Sequence, residues 1–214
     1  MKVIGITGGV GAGKSTILNI LEKDYGAYCI LADEVGHRLM QPGGPTYEKI
    51  VKTYGSEVLR EDGQINRKKL GEIVFSKEEE LKKLNELTHP IIREAIKEEI
   101  KKVRQEATHK ILVLEAAILK EGGLDVLCDD IWYIYAEEPV RVKRLMDSRG
   151  YSEQKSYEII SRQMKEEAYR NFSHYVIDNS NRLDDCVKQI QKRLNEIFLD
   201  SAHLANYNGT DTNK

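Results

Sequence analysis

The sequence predicts an α/β protein in which a mainly parallel, five-stranded sheet is covered by helices on both faces. Five short apolar runs rich in Ile, Val and Tyr have the length of buried strands: residues 2–7, 28–31, 110–114, 131–135 and 175–178. Strands that alternate with helices are typical of a parallel sheet. Helical periodicity occupies much of the chain between the strands: residues 14–23, 34–40, 45–54, 79–86, 91–104, 140–148, 153–167 and 184–199.

Two long stretches carry no strand pattern. Residues 39–109 are interpreted as a helical lobe inserted in the α/β core, and residues 141–172, which are rich in Arg and Lys, as a helical lid. The polar, aperiodic residues 201–214 are predicted to form a disordered tail. This leaves a single folded unit over residues 1–200. Its core is predicted in residues 1–38, 110–140 and 173–200.

The overall charge excludes some classes of partner. With 33 Lys plus Arg against 35 Asp plus Glu, the 214-residue chain has a net charge of −2, which argues against a nucleic-acid binder. No apolar run approaches the roughly 18 residues of a membrane span, so no membrane partner is expected. The cysteines are Cys29, Cys128 and Cys186, an odd number without metal-ligand spacing, which favours a reducing, cytoplasmic location.

Residues 8–15, GGVGAGKS, match the phosphate-loop pattern G-x-x-x-x-G-K-[ST] between a predicted strand and a predicted helix. Glycines let backbone N–H groups approach phosphate oxygens, and the helix N-terminus adds partial positive charge. Lys14 is expected to reach the β- and γ-phosphates, Ser15 to ligate Mg²⁺ and Thr16 to contact the α-phosphate. The alternative is a glycine-rich turn between a strand and a helix with a chance Lys-Ser pair, and the motif and its context together disfavour it. The loop therefore predicts the three-layer fold of phosphate-loop nucleoside triphosphate hydrolases, with ATP bound by a set of residues in and after the loop: Gly9, Gly11, Ala12, Gly13, Lys14, Ser15 and Thr16.

Several classes of protein use such a loop. A GTPase is suggested by residues 33–36, which match D-x-x-G, but the guanine-reading motif N-K-x-D is missing from the sequence. The L-S-G-G-Q element of transport ATPases is missing as well. A small-molecule kinase needs neither; it needs an acceptor site, a residue that orients the attacking hydroxyl, and cations over the transferred phosphoryl group.

Asp33 and Glu115 each follow a predicted strand, at the sheet edge where ligands bind in open α/β folds. Asp33 has two interpretations of equal weight: it orients the acceptor hydroxyl, or it caps a helix that begins at Glu34. Glu115 either holds Mg²⁺, directly or through water, or makes only a local hydrogen bond at the strand end.

Three arginines of the predicted lid, Arg141, Arg144 and Arg149, have helical or near-helical spacing. Arginines so placed either cover the transferred phosphoryl group or form an exposed charged face. Arg144 is favoured as a phosphate ligand and catalytic residue, together with Lys14 and Asp33.

An ordered set of motifs makes the chain, to about residue 199, resemble the dephospho-coenzyme A kinase family. The opening T-G-G-x-G-x-G-K-S-T spans residues 7–16, D-A-D falls at residues 31–33, and P-G-x-P falls at residues 42–45. Further on, D-G-x-h-x-R-x-x-L spans residues 62–70 and L-N-x-x-x-H-P residues 84–90. The lid and last strand are matched by residues 143–146, Gln163 and residues 176–179.

The resemblance implies ATP-dependent phosphorylation of the ribose 3′-hydroxyl of dephospho-coenzyme A, the last step of coenzyme A biosynthesis. It favours Asp33 as base or orienter, makes the 39–109 lobe the acceptor-binding domain, and implies ATP contacts for Arg144 and Arg149. It also implies that Thr7, Asp33, Arg67, His89 and Arg93 bind the acceptor. His89 retains the alternative of capping or packing before Pro90, and Arg67 and Arg93 that of surface salt bridges.

The chain departs from the family pattern in three places. Leu31 replaces the first Asp of D-A-D, Ser173-His174 replaces Ala-Asp, and Ser148-Arg149 shifts the usual Arg-Asp pair by one position. A one-residue shift rotates a helical side chain by about 100°. Arg149 is therefore a weaker candidate than Arg144.

Two other functions remain open from the residues: a kinase for another small hydroxyl acceptor, such as a nucleoside monophosphate, and a non-catalytic nucleotide-binding switch. The expected ligands are ATP with Mg²⁺ and dephospho-coenzyme A. A monomer or weak homo-oligomer is expected.

Overall fold

The computed structural model describes residues 1–207, which form five β-strands and nine α-helices. The strands are β1 (Lys2–Thr7), β2 (Tyr28–Leu31), β3 (Ile111–Glu115), β4 (Asp130–Tyr135) and β5 (Tyr175–Asp178). The helices are α1 (Lys14–Tyr25), α2 (Ala32–Leu39), α3 (Pro45–Tyr54), α4 (Arg67–Val74), α5 (Glu78–Glu106), α6 (Glu138–Arg149), α7 (Glu153–Ser161), α8 (Glu166–Phe172) and α9 (Leu183–Tyr207). Short 3₁₀ helices cover Ser56–Val58 and Asp125–Leu127.

The five strands form one parallel sheet in the order β2-β3-β1-β4-β5, which confirms the predicted α/β class. Every residue of β3 is buried, as expected for a strand of a parallel sheet covered on both faces. β3 and β4 differ from the predicted strands by one residue at one or both ends, and as a result Glu115 is the last residue of β3.

The chain divides into two compact units. The first comprises Met1–Thr7 and Leu21–Ile131, and the second comprises Gly8–Ile20 and the chain from Trp132 onwards. The predicted acceptor lobe, residues 39–109, falls within the first unit, and the predicted lid, residues 141–172, within the second. The division into core, lobe and lid stays a prediction.

Each of these stretches has its own apolar cluster. In the first unit, α3, α4 and the turn between them bury a set of side chains against which leucines of α5 pack: Ile50, Tyr54, Val58, Ile65, Leu70 and Val74. In the second unit, Val142 and Leu145 of α6 pack with Ile160 of α7. Burial of these helix faces accounts for stable helical structure where the sequence shows no strands.

Helix α5 is a single helix of 29 residues, whereas the sequence predicts two helices separated at Pro90. Proline lacks an N–H group and usually ends or kinks a helix. Here the buried stripe continues past it through Ile96, Ile100 and Val103, so packing outweighs the loss of one backbone hydrogen bond. The prediction of a break at Pro90 is therefore wrong.

Two other helix predictions also differ from the structure. Helix α4 was not predicted; Asn66 caps it by accepting a hydrogen bond from the Lys69 N–H at 3.1 Å. The predicted helix over residues 153–167 is two helices, because the chain turns at Gln163, whose side chain bonds to another part of the second unit.

Helix α9 continues to Tyr207, so the segment predicted to be a disordered tail begins inside a helix. Ile190 and Leu194 of this helix are buried, and the helix continues past the predicted end at residue 199. Residues 208–214 lie outside the described residues. None of the described helices combines the length and the apolar character needed to cross a bilayer.

Gly5 of β1 provides a test of packing in the first unit. A Cβ atom at this position would lie 2.7 Å from Sγ of Cys128 and 3.0 Å from Cδ2 of Leu119. We expect Gly5→Ala to lower the free energy of unfolding by about 1–3 kcal/mol, as overpacking of a core does. Cys128→Ala removes the nearest atom, so the double variant should recover much of the loss in urea unfolding. Additive effects of the two substitutions would contradict this contact.

Candidate functional site

The loop that joins β1 to α1 contains glycines in backbone conformations that other residues rarely adopt. Gly11 and Gly13 have φ angles of 77° and 90°. Among the residues that the structure describes, no hydrogen bond occupies the N–H groups of Gly11, Gly13 or Ser15. Free N–H groups beside a helix N-terminus form an anion-binding site. The predicted phosphate loop therefore has donor groups available for phosphate.

Three side chains at the start of α1 carry the predicted contacts with nucleotide and metal. The Nζ atom of Lys14 donates a hydrogen bond to the carbonyl oxygen of Gly8 at 3.0 Å, which folds the lysine back along the loop. The side chains of Ser15 and Thr16 are exposed in the first turn of α1. These positions suit contacts with phosphate and metal, and the contacts themselves stay predictions.

Arg141 and Gln163 hold the first part of the loop from outside. The Nε atom of Arg141 donates to the Val10 carbonyl oxygen at 2.9 Å, and the Val10 N–H donates to Oε1 of Gln163 at 3.0 Å. The same Oε1 accepts from Nη2 of Arg141 at 2.6 Å. Both polar groups of the Val10 backbone are thus bound by side chains.

Arg144 and Asn179 hold the next part of the loop. Nη1 of Arg144 donates to the carbonyl oxygens of Gly11 and Ala12, each at 3.3 Å. Nδ2 of Asn179 donates to the Ala12 carbonyl oxygen at 2.8 Å. With three successive carbonyls bound by side chains, the loop is shaped before any ligand arrives.

The lid arginines therefore differ in their surroundings. Arg144 lies at the loop, and its contact with the transferred phosphoryl group stays a prediction. Arg149 is exposed at the last residue of α6, and no hydrogen bond or ion pair within the described residues joins it to the loop. Its predicted ATP contact also stays a prediction.

Asp33 lies at the carboxyl end of β2. Helix α2 begins at Ala32 and its N-cap is Leu31, so the interpretation of Asp33 as the N-cap is wrong. Leu31 pairs with Glu115, which also pairs with Ile6, so β1, β2 and β3 end at one edge. The exposed Asp33 side chain borders a cavity of about 60 Å³, whose wall includes Ile92, Ala116 and Ile118.

Gly36 lies one turn after Asp33 in the segment that resembles a GTPase sensor. It is buried inside α2, where a Cβ atom would lie 3.3 Å from Cδ1 of Ile92. A γ-phosphate sensor needs an accessible glycine N–H, and that of Gly36 lies inside a helix. The D-x-x-G spacing is therefore a feature of helix packing in this chain.

Glu115 and Thr7 end their strands as buried side chains. Glu115 is 9% exposed at the end of β3, and its predicted role as a metal ligand stays a prediction. Thr7 is fully buried, and its hydroxyl donates to the Ala117 carbonyl oxygen at 3.5 Å. This hydrogen bond links the end of β1 to the segment after β3. The contact between Thr7 and the acceptor stays a prediction.

His89 joins two cavities of the first unit. It borders the cavity beside Asp33 and a larger one of about 500 Å³ that also contacts Asn85, Arg93 and Glu121. It lies in the interior of α5, so the interpretation of His89 as a helix cap is wrong. Burial lowers the pKa of His89, and the nearby Glu121 carboxylate opposes that shift. A neutral imidazole is available as donor or acceptor between the cavities.

His89 borders one cavity with Asp33 and a second with Arg93, whereas Arg67 borders neither. The Nη1 atom of Arg93 lies close to Gly123, where a Cβ would approach it to 3.0 Å. Arg67 borders a separate cavity of about 180 Å³ beside His37. If Arg67 contacts the acceptor, it does so from that second position, and its role stays a prediction.

A family model described as dephospho-CoA kinase matches residues 2–185. The chain belongs to the dephospho-CoA kinase family. It is 38% identical over 190 residues to dephospho-CoA kinase of Carboxydothermus hydrogenoformans, covering 89% of this chain and 91% of the relative. The Aquifex aeolicus dephospho-CoA kinase is 39% identical over 201 residues, covering 94% and 100% of the two chains. The solved dephospho-CoA kinase of Campylobacter jejuni has a TM-score of 0.63 at 27% identity, covering 89% of this chain and 96% of that one.

Most residues of the dephospho-CoA kinase family motif at positions 62–70 that make contacts stabilise a turn and a helix start. Gly63 has a φ of 76° in a turn closed by its N–H to the Arg60 carbonyl at 3.0 Å. The Tyr47 hydroxyl donates to the Gly63 carbonyl at 2.7 Å, and Asn66 caps α4. Only Arg67 of this motif is left as a ligand-binding candidate.

The sequence does not predict that Gln163, Asn179 and Arg141 hold the phosphate loop in shape. Gln163 and Asn179 match the dephospho-CoA kinase pattern without a role, and Arg141 is only one of the lid arginines. A polar residue directly after the last strand is the one signal available for Asn179. No local signal marks Gln163, because its partners are more than 20 positions away in the chain.

The Gln163 side chain offers a test of loop shaping. Gln163→Met keeps the length of the side chain but removes the acceptor shared by Val10 and Arg141. We expect the KM for ATP to rise about three- to tenfold, since the lost acceptor leaves two donors unpaired. Gln154→Met, on the exposed face of α7, is the matched control and should leave the KM unchanged. An unchanged KM in Gln163→Met would contradict the shaping role.

The lowered pKa of His89 predicts a pH dependence of stability. In the folded protein the pKa of His89 lies below its ordinary value of about 6.5. Between these two pKa values His89 therefore binds more protons in the unfolded chain than in the folded one. The free energy of unfolding should therefore fall as the pH drops below about 6.5. His89→Gln should reduce this fall in urea unfolding at pH 7.5 and 5.5, whereas His37→Gln should leave the His89 contribution in place. Equal pH dependence in wild type and His89→Gln would be the contrary result.

Proposed function

We propose that this chain transfers the γ-phosphoryl group of ATP to the ribose 3′-hydroxyl of dephospho-CoA, giving CoA and ADP in the last step of CoA biosynthesis. Membership of the dephospho-CoA kinase family supports the identity of the acceptor. The structural observation that carries the proposal is the cavity that Asp33 and His89 both border, at the edge where β1, β2 and β3 end. Ligands of open α/β folds bind at that edge.

The ATP phosphates bind to the N–H groups of the loop, over residues 9–16, in this proposal. Lys14 neutralises charge on the β- and γ-phosphates, and Thr16 contacts the α-phosphate. Arg144, already held at the loop, covers the phosphoryl group as charge develops on it, with Arg149 as a second cation. The bound carbonyls of Val10, Gly11 and Ala12 support this arrangement.

Two residues of the chain each carry a side chain of the kind that suits Mg²⁺ carried by ATP. Mg²⁺ prefers oxygen ligands and is often bound through one or two carboxylates together with substrate phosphates. Ser15 offers an exposed hydroxyl in the first turn of α1, and Glu115 offers a carboxylate at the end of β3. When bound, the ion neutralises phosphate charge. Ser15 and Glu115 are the residues that would hold it.

Asp33 orients the 3′-hydroxyl of the acceptor for attack on the γ-phosphorus. A bond forms between the ribose oxygen and phosphorus, the bond to the β–γ bridging oxygen breaks, and the hydroxyl proton passes to the Asp33 carboxylate. A loose transition state needs little early deprotonation, so a carboxylate that accepts the hydrogen bond first and the proton late suffices. His89 and Arg93 bind the rest of the acceptor along the larger cavity, with Thr7 and Arg67 as further contacts.

We also propose that the enzyme acts in the cytoplasm. Its three cysteines, Cys29, Cys128 and Cys186, are all free thiols, which favours a reducing compartment.

Asp33→Asn tests the proposed role of the carboxylate. The variant keeps the shape of the side chain but accepts a proton poorly, so kcat for dephospho-CoA should fall by roughly 10²–10⁴ with little change in the KM for ATP. Glu34→Gln, the neighbouring exposed carboxylate in the same helical turn, is the matched control and should keep its activity. Near-wild-type turnover in Asp33→Asn would remove this role.

The identity of the acceptor is tested by a panel. ATP consumption is measured with dephospho-CoA, nucleoside monophosphates and sugars, and the product is identified by mass. Dephospho-CoA should give acceptor-dependent ADP and CoA. ADP formed only with another acceptor would replace the proposed substrate, and no acceptor-dependent ADP would favour the nucleotide-binding switch.

A further inference from the structure

Asn179 lies directly after β5 and is buried, with 4% of its surface exposed. Its N–H donates to the Tyr135 carbonyl oxygen at 2.8 Å, which extends the pairing of β5 with β4 by one residue. The backbone of Asn179 is therefore fixed by the sheet. A side chain on this position is held in place before it makes any contact of its own.

Asn179 makes two further contacts that converge on the phosphate loop. Its Nδ2 atom donates to the Ala12 carbonyl oxygen at 2.8 Å, and its own carbonyl oxygen accepts from Nη2 of Arg144 at 2.8 Å. One residue thus contacts the loop with its side chain and the predicted phosphate-binding arginine with its backbone. The two contacts can be separated by mutation, since only the first needs the side chain.

The Cys186 thiol contacts the Asn179 amide and has a second, more distant acceptor in the Asp178 carbonyl oxygen at 3.4 Å. Sγ of Cys186 lies 3.1 Å from Oδ1 of Asn179, and the thiol is fully buried. Burial raises the pKa of Cys186, so the thiol stays protonated and can donate. With Oδ1 facing the thiol, the NH₂ group is directed at Ala12. The reversed amide would set its oxygen against the Ala12 carbonyl oxygen.

Gly13 and Asn179 fit each other closely. A Cβ atom at Gly13 would overlap Nδ2 of Asn179. The amide therefore occupies the space that a side chain of the loop would fill, in addition to the φ of 90° that favours glycine at this position. Gly13, the last glycine of the phosphate-loop motif, therefore leaves room for the side chain of Asn179, which is far away in the sequence.

We propose that Asn179 is a positioning residue for the nucleotide site, and that the Cys186 thiol fixes the orientation in which it does so. The inference rests on the proposed function in one respect, namely that the loop holds the phosphates of ATP. Asn179 acts through the Ala12 carbonyl: it keeps the loop in the shape that presents its N–H groups to phosphate.

Asn179→Ala is the first test, with ATP affinity measured by titration calorimetry in the presence of Mg²⁺. We expect the Kd for ATP to rise about tenfold, because the Ala12 carbonyl loses its shorter hydrogen bond and keeps only the one from Arg144 at 3.3 Å. The backbone carbonyl that accepts from Arg144 remains, so kcat should stay within about threefold of wild type. Asn195→Ala, on the exposed face of α9, is the matched control and should keep wild-type affinity.

A pair of variants at Cys186 tests the orientation. Cys186→Ala leaves Oδ1 without its donor, so the Kd for ATP should rise by about threefold, in keeping with the weak donor that is lost. Cys186→Ser retains a donor and should return the Kd to within about twofold of wild type. These variants keep the test decisive if Asn179→Ala does not fold.

The outcomes separate this inference from the proposed function. A folded Asn179→Ala protein with wild-type affinity for ATP overturns the inference, as does equal affinity in Cys186→Ala and Cys186→Ser. A loss that is equally large in kcat, in the KM for dephospho-CoA and in ATP affinity shows general damage and also overturns it. Wild-type protein that binds ATP without phosphorylating dephospho-CoA overturns only the proposed function.

Discussion

The carbonyl oxygens of the phosphate loop are the constraint on which the nucleotide site depends. A backbone segment that directs its N–H groups at an anion turns its carbonyl groups elsewhere, and carbonyls turned into the protein need donors. Arg141, Arg144 and Asn179 supply them over residues 10–12. The phosphate-loop motif itself lies within the first sixteen residues. Its shape, however, depends on side chains that come after β4, much later in the chain.

The placement of charge follows from the same requirement. The net charge of −2 shows no excess of either sign, yet two guanidinium groups, those of Arg141 and Arg144, are concentrated at one short loop. On α5, by contrast, lysines and glutamates alternate in exposed pairs such as Lys97 and Glu94, which contribute little to stability. Two arginines bound to backbone carbonyls keep their positive charge, because a carbonyl group is a dipole and does not neutralise it. That local charge is what an ATP phosphate would meet.

How far the sequence predicts the molecule depends on the range of the interactions. The five strands and the phosphate loop were predicted correctly or within one residue, since period and motif are local properties. The predicted break at Pro90 was wrong because the buried face of α5 continues past it, and the predicted helix over residues 153–167 missed the turn at Gln163. The sequence predicts Asp33, His89 and Arg93 as candidates, but only the folded structure shows that His89 borders one cavity with Asp33 and a second with Arg93. Arg67 borders another cavity. Such groupings depend on contacts between distant segments, for which one sequence has no local signal.

The departure at Leu31 becomes interpretable once the start of α2 is known. Leu31 is the N-cap of that helix and makes no side-chain hydrogen bond to it, whereas an Asp at this position is a favoured cap worth about 1 kcal/mol. Leu31 therefore gives α2 no side-chain cap, and the Asp33 carboxylate lies in the first turn of the helix. Asp33 and Glu34 both lie in the first turn, where negative charge interacts favourably with the helix N-terminus. In this chain the start of α2 thus depends more on its two acidic residues, and the carboxylate proposed to orient the acceptor also helps to stabilise the helix that carries it.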